Sequence, residues 1–497
     1  MKYQNPIIPG YYPDPSVCTD GKKFYLVNSS FHNFPGVPLF ESDDLINWKQ
    51  IGHVLTRESQ LPLTHATHSG GIYAPVIRYH NGRFYMITTN VSDGGNFIVY
   101  TDDIYGEWSE PIWIKNGGID PSLLFDGDKV YFCGTGADEN GRSAILGCEI
   151  DIETGENLTE PKAIWYGTGG RYLEGPHLYH IGDDYYVFAA EGGTEYGHMI
   201  VYGKGKSPMG PFENYKGNPV LTNRNLGGYQ IQGVGHGDLV MDKFGDWWMV
   251  HLAFRTLGQY DNYHLTGRET YLVPVNFDAD GWFTAGDNGT TRFEFETDRK
   301  LHRDVLQTVI GNRVRTFENT KPGREWIYQR NPEMKNYEFK EDKFFLTGTD
   351  ISINDPLGSS TVISIRQEEM YGFATVKLTS VGGPAGMTLI MDDSAHYDLT
   401  FDKGRVSLDA RLGEIKSKQS EIETDADEVT LTVRFSPYYY YFEVEKEGKP
   451  VELGRLETRF ISTEVASGFT GVLIGLFAEK GAHACFSDFK VSYQRTE

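Results

Sequence analysis

Cysteine is scarce. Cys18, Cys133, Cys148 and Cys485 are the only four among 497 residues, and none forms the CxxC pair that a thiolate metal site or a dithiol redox centre uses. Three lie in apolar, strand-like runs (PSVCTD, VYFCGTG, ILGCEI), so buried free thiols are expected rather than a disulfide framework or a metal site. Long apolar runs are also missing: nothing approaches the roughly 18 uninterrupted apolar residues of a membrane span. The start, MKYQNPIIPG, has no apolar signal core, so the chain as written is expected in the cytoplasm, with a removed leader left open. Positive charge is short as well. With 46 Lys+Arg against 69 Asp+Glu the net charge is −23, and no Lys/Arg-rich run offsets it, which argues against nucleic acid and anionic membranes as partners. HExxH, GxSxG, a P-loop and a strand-to-helix GxGxxG are all absent, so zinc hydrolysis, serine esterase chemistry and nucleotide binding lack support.

Glycine is abundant, at 57 residues against a usual share of ~7%. It accompanies many aromatics, which make up 14% of the chain. Together with 39% hydrophobic and 23% charged residues, this describes a globular chain with many turns and large cores. The length suggests two domains.

A glycine turn followed by an aromatic-rich strand recurs five times: DGKKFYLVNSS, NGRFYMITTN, DGDKVYFCGTG, IGDDYYVFAAE and FGDWWMVHLAF. The turn glycines are Gly21, Gly82, Gly127, Gly182 and Gly245, separated by 61, 45, 55 and 63 residues. Those separations are too long for one hairpin and suit a small antiparallel sheet of about four strands. A second strand-like run precedes each turn (DPSVCT, APVIRYH, DPSLLF, GPHLYH, GDLVMD), so each unit contains a hairpin. Five such sheets without amphipathic helices between them predict a five-bladed β-propeller over residues 1–297. A polar linker is expected over 298–314. Period-two strands such as TVISIRQ, FATVKLTS, VTLTVRFS and GVLIGLFA then predict a β-sandwich over 315–497. The tyrosines of SPYYYYFEVEKEG are expected to pack on both faces of one strand.

Equivalent positions in different blades converge on the axis of a propeller. Counting back six to eight residues from each turn glycine gives Asp14, Ala74, Asp120, Glu174 and, in the fifth repeat, Gly237 with Asp238. An Asp before proline is ordinarily a turn residue. Three carboxylates at repeat-equivalent positions are different, because like charges repel and burial is costly, and folding alone has no need to gather them. Acids among aromatics equip a site for glycosidic cleavage, in which a protonated acid releases the leaving oxygen and an ionised one handles water. Glu174 is expected as general acid, Asp14 as base, and Asp120 as the group that raises the pKa of Glu174 and orients it. Phe31, Tyr73 and Tyr12 are candidate sugar platforms, each with a plain alternative as core. Arg255 and Arg268 are candidates to hold sugar hydroxyls or Asp120, the alternative being surface ion pairs. His236 is expected to point to the axis, as an ion ligand, an acid's hydrogen-bond partner or a satisfied core histidine.

NPIIPGYYPDPSVCTDGKKFYLVNSSF, SGGIYAPVIRYHNGRFYMITTN, GIDPSLLFD, YLEGPHLY, AEGGTEYGHM, GHGDLV and GRETYLVPV together resemble glycoside hydrolase family 43. The resemblance implies a five-bladed propeller, an inverting enzyme that removes pentose units, and the roles general base, pKa modulator and general acid for Asp14, Asp120 and Glu174. PGREWIYQRNP and GFTGVLIGLFAEKGAHACFSDFKVSY resemble the concanavalin-like β-sandwich of β-xylosidase-type members, which implies a loop sent toward the pocket. It also implies a structural calcium near His236, while no cofactor is required for the chemistry itself. Tyr73 replaces the Trp that many β-xylosidases of the family carry in GGIWAP, which leaves room for arabinofuranose beside xylose. The expected substrate is therefore a small hemicellulose-derived oligosaccharide, cleaved exo-fashion at its terminal pentosyl residue. A homo-oligomer is left open. The competing readings are a non-catalytic glycan-binding propeller and a repeat-propeller scaffold, neither of which needs an axial carboxylate trio.

Overall fold

The computed structural model describes residues 2–258, 262–302, 313–316 and 322–494. Five four-stranded antiparallel sheets occupy the N-terminal part, and their innermost strands are Ser16–Thr19, Ile72–His80, Ser122–Asp126, Glu174–Ile181 and Ile231–Met241. Each touches the next and the fifth touches the first, closing a propeller. The five turn glycines all have positive φ, between 60° and 88°, with open space where a Cβ would stand. Backbone conformation, not crowding, therefore selects glycine there. Apolar layers separate successive blades, for example Val27, Leu39, Ile77 and Met86 between the first two and Cys133, Ile145, Val187 and Val201 between the third and fourth. The N-terminal segment bonds the fifth blade, Ile7 and Ile8 donating to the Thr270 carbonyl (2.9 and 3.2 Å), while Lys2–Gln4 pairs with Glu294–Glu296.

The axis itself is polar. Asp238, fully buried, accepts hydrogen bonds from Arg78 Nη1 (2.8 Å) and Nη2 (3.1 Å), Ser16 Oγ (2.6 Å), the Val17 N–H (3.0 Å) and the Tyr179 hydroxyl. Arg78 Nη2 also donates to His177 Nδ1 (2.9 Å). Four blades thus meet on one carboxylate. Burial pushes the Asp238 carboxyl up, but Arg78, His177 and Ser16 outweigh it and hold the group well below the usual carboxylate range. Burial takes His177 down to about 3, so it stays neutral and its Nδ1 accepts.

The C-terminal strands form two eight-stranded antiparallel sheets packed face to face. Tyr440, Phe442 and Val444 face the core against Leu389 and Tyr397, whereas Tyr439 and Tyr441 point outward beneath Arg455 and Arg434 (4.8 Å each). The last strand of one sheet belongs to the propeller: Asn33–Phe34 pairs with Ile327–Gln329. Tyr263 and Leu265 of the fifth blade likewise enter the sandwich core. Of the expected linker, residues 303–312 lie outside the described residues. All four cysteines are free, and three are buried; Cys485 is partly exposed because its strand, His483–Gln494, turns alternate residues to solvent.

Stripping one partner from a buried, hydrogen-bonded charge pair leaves the other charge uncompensated. Asp238→Ala is therefore expected to cost about 3–5 kcal/mol of stability, read from the shift in chemical-denaturation midpoint; a loss below about 1 kcal/mol would show that the axial carboxylate does not hold the blades.

Candidate active site

A residue in the left-handed region stands just before or within each innermost strand: Asp14 (φ 51°), Ala74 (33°), Asp120 (54°), Gly175 (59°) and His236 (46°). The repeat thus delivers one side chain per blade to the same end of the axis, with Glu174 arriving one residue ahead of Gly175. The fifth blade departs from the expected position. His236, not Gly237 or Asp238, reaches the site, because the fifth hairpin turn is longer: residues 242–246 separate the paired Met241 and Trp247, whereas two residues separate the last pairs His80–Arg83, Asp126–Lys129 and Ile181–Asp184, so a count back from Gly245 stops short. Asp238 lies in the axial network described above.

Asp14, Asp120 and Glu174 line one cavity of about 100 Å³ together with Phe31, Tyr73, His198, His236, Arg268 and Phe469. Asp14 accepts from Ser29 Oγ (2.6 Å) and Arg268 Nη1 (3.2 Å), with His236 Nδ1 at 3.7 Å. Burial pushes its carboxyl up, but Arg268, His236 and Ser29 outweigh burial and hold it below its ordinary value. Glu174 moves the other way, raised first by burial and then by the negative charge of Asp14. Asp120 is raised well above the usual range by burial, then by Glu174 and Asp14. It accepts the Gly175 N–H (2.9 Å) and so fixes the peptide that carries Glu174. Glu174 and Asp120 also repel each other when both are ionised, and Asp120 orients Glu174 through this backbone bond. Asp14 is held below its ordinary value and Glu174 above it, a separation suited to paired base and acid.

The aromatic walls meet edge to face: Phe31 and Tyr73 have ring centroids 5.5 Å apart at 73°, Tyr73 and Phe469 5.8 Å at 83°. Tyr73 donates to the Ser69 carbonyl (2.8 Å). Tyr12 is core, edge-on to Phe40 at 5.2 Å. Arg268 Nη1 also donates to Thr194 Oγ1 (2.8 Å) and Nη2 to the Phe469 carbonyl (3.2 Å), so it ties Asp14 to both domains, and its hydrogen-bond partner is Asp14 rather than Asp120.

The model of Glycosyl hydrolases family 43 matches residues 3–283, and that of the Beta xylosidase C-terminal Concanavalin A-like domain matches residues 314–492. The chain belongs to glycosyl hydrolase family 43. A non-reducing end alpha-L-arabinofuranosidase of Bacteroides ovatus is 38% identical, covering 97% of this chain and 92% of that protein. A xylosidase/arabinosidase of Butyrivibrio fibrisolvens is 35% identical, covering 99% of each. The solved structure of the Bacteroides ovatus Xyloglucan PUL GH43B covers all of both chains with a TM-score of 0.92 and 36% identity. The chain is thus a family 43 glycosidase, and the non-catalytic propeller is set aside.

Arg255 is not where a family 43 substrate could reach it. Its Nε and Nη2 each hold Glu269 at 2.8 Å, Nη1 holds Glu369 at 2.5 Å, and Nη2 also donates to the Glu368 carbonyl (2.7 Å). These contacts engage four of its five N–H donors in a clamp between the domains. His236 does not fit a calcium cage. Its neighbours are the neutral imidazoles of His177 and His198 and an Asp14 carboxylate already engaged, whereas calcium takes about six to eight oxygens. Among the described residues no group of three or more His, Cys, Asp or Glu is placed to hold a metal ion. Sequence reasoning missed Ser29, Thr194, His198 and Phe469. The first three lie in runs quoted above, but no repeat marks them, and Phe469 comes from the other domain.

The base must be ionised and the acid protonated. Activity is therefore expected to rise through a pKa below the ordinary Asp value and fall through one above the ordinary Glu value. Arg268 lowers both Asp14 and Glu174, so Arg268→Met is expected to move both limbs of the pH profile of kcat/KM upward; unmoved limbs would show that Arg268 does not set these charges.

Proposed function

We propose that the chain is an exo-acting, inverting pentosidase that removes single terminal β-D-xylosyl or α-L-arabinofuranosyl residues from hemicellulose-derived oligosaccharides. The observation that carries the reading is the opposed titration of Asp14 and Glu174 across one small cavity. The names of the two full-length relatives point to the same two pentoses. About 100 Å³ bounded by Phe31, Tyr73 and Phe469 suits one sugar ring and leaves no channel for a polymer to run through.

In this scheme Asp14 takes a proton from a water molecule as the water oxygen bonds to the anomeric carbon. Glu174 gives its proton to the departing oxygen as the glycosidic bond breaks, and the released sugar carries the inverted configuration. Asp120 holds the Gly175 peptide so that Glu174 keeps its aim. Arg268 keeps Asp14 ionised and directed by a bond that needs no rearrangement during reaction. Burial takes His198 down to about 3, so it adds no competing acid. Both proton transfers are assigned to side chains, and the scheme calls for no cofactor.

Glu174→Gln is expected to lower kcat/KM by about 10²–10⁴ on pentosides with alkoxide leaving groups. Activity should largely return with an aryl leaving group acidic enough to depart unprotonated. Asp14→Asn should fall equally on both substrates. Full activity in Asp14→Asn, or a first-formed sugar of retained configuration by NMR, would overturn the assignment.

A further inference from the structure

The catalytic cavity opens into a second one of about 480 Å³, within the ~300–1,000 Å³ range of small-molecule sites. Glu174, Thr194, Arg268 and Phe469 line both, whereas Asp14 lines only the inner one. The proton donor therefore stands at the border, where the oxygen of a departing group would lie, and the base stands behind it. Whatever leaves must occupy the outer cavity. The propeller lines it with Tyr172, Gly193 and Glu195, and the sandwich with Ser467 and Gly468.

Tyr172 has three properties of a built platform. Its ring is 57% exposed although it belongs to a well-bonded loop. Its backbone is held at φ 53°, a conformation that a bulky side chain avoids and that persists where the surroundings impose it. Its ring lies against Gly193, where a Cβ would come within 3.0 Å of it, and Arg171 is placed over the ring at 5.2 Å. The loop is anchored from below by the fully buried Glu191, which accepts from the Thr168 N–H (2.7 Å) and Thr168 Oγ1 (2.5 Å). It is also tied sideways, by the Gly192 N–H to the Arg171 carbonyl (2.8 Å) and Arg171 Nε to the Gly192 carbonyl (3.1 Å). Arg171 and Glu195 form an ion pair, giving the rim a polar but locally neutral character.

We propose that Tyr172 is the platform on which the leaving sugar stacks, and that the ring it selects is a neutral pyranose whose hydroxyls meet Glu195 and the sandwich loop at Ser467. This rests on the pentosidase reading above. An aromatic face with a polar rim matches the apolar faces and equatorial hydroxyls of a pyranose. Binding there, away from the bond being broken, can be used to lower the barrier as well as to hold the substrate. Tyr172 acts by positioning and does not touch the reacting atoms.

The test compares a pentosyl disaccharide with the methyl glycoside of the same pentose, two substrates with leaving groups of similar basicity that differ in whether a ring fills the outer cavity. Tyr172→Ala is expected to lower kcat/KM on the disaccharide about ten-fold or more and leave the methyl pentoside within about two-fold. Tyr172→Phe should restore the disaccharide rate, because the ring, not the hydroxyl, is what stacks. Equal losses on both substrates, or no loss on either, would overturn the platform. A wild-type enzyme silent on both pentosides would instead overturn the pentosidase reading.

Discussion

One carboxylate on the axis orders the catalytic end of the propeller. Asp238 gathers donors from three other blades, and its partner Arg78 lies across the channel from it. A ring of five sheets closes only if its innermost strands agree in height, and apolar layers between blades are tolerant of sliding. Directional, charge-assisted hydrogen bonds are not. By pinning the first, second and fourth blades to the fifth, this network sets the level at which each inner strand begins, and hence where Asp14, Glu174 and His236 emerge. The cavity carboxylates Asp14 and Glu174 thus stand at inner strands that also bond a charge pair held from four blades.

Above that layer the chemistry depends on imbalance. Three carboxylates share a space too small and too buried for three charges, and a single guanidinium decides which is ionised. Arg268 contacts Asp14 directly and reaches the other two only at a distance, so Asp14 is held below its ordinary value while Asp120 and Glu174 are raised. Burial raises all three, so it cannot by itself place Asp14 below its ordinary value. The same guanidinium bonds the Phe469 carbonyl, which makes the electrostatics of the base depend on a residue some two hundred positions later in the chain.

The sequence made the repeating parts visible and hid the singular ones. Gly21, Gly82, Gly127, Gly182 and Gly245 were legible because a left-handed turn admits few other residues. Asp14, Asp120 and Glu174 were legible because a repeat turns chain position into spatial position. The fifth blade broke the arithmetic, since its turn runs over residues 242–246 and sets Gly245 further from the strand than the other turn glycines, so the count back gave Asp238 instead of His236. Arg255 was misplaced for another reason: its partner Glu369 lies in the other domain, and nothing near the arginine announces it. Phe469 and the two-residue strand Asn33–Phe34 carry no periodicity at all, so only the assembled molecule shows them.

That short strand ties two properties that are usually separable. Phe31 walls the sugar cavity, and two residues later the same chain becomes the edge of the sandwich sheet at Asn33–Phe34. Between them there is no slack to absorb a displacement, so the accessory domain and the reaction chamber form a single mechanical unit. A propeller cut free of its sandwich would expose an unpaired edge beside its own substrate wall. The edge of one domain and the wall of the other's cavity are therefore coupled through three residues of chain.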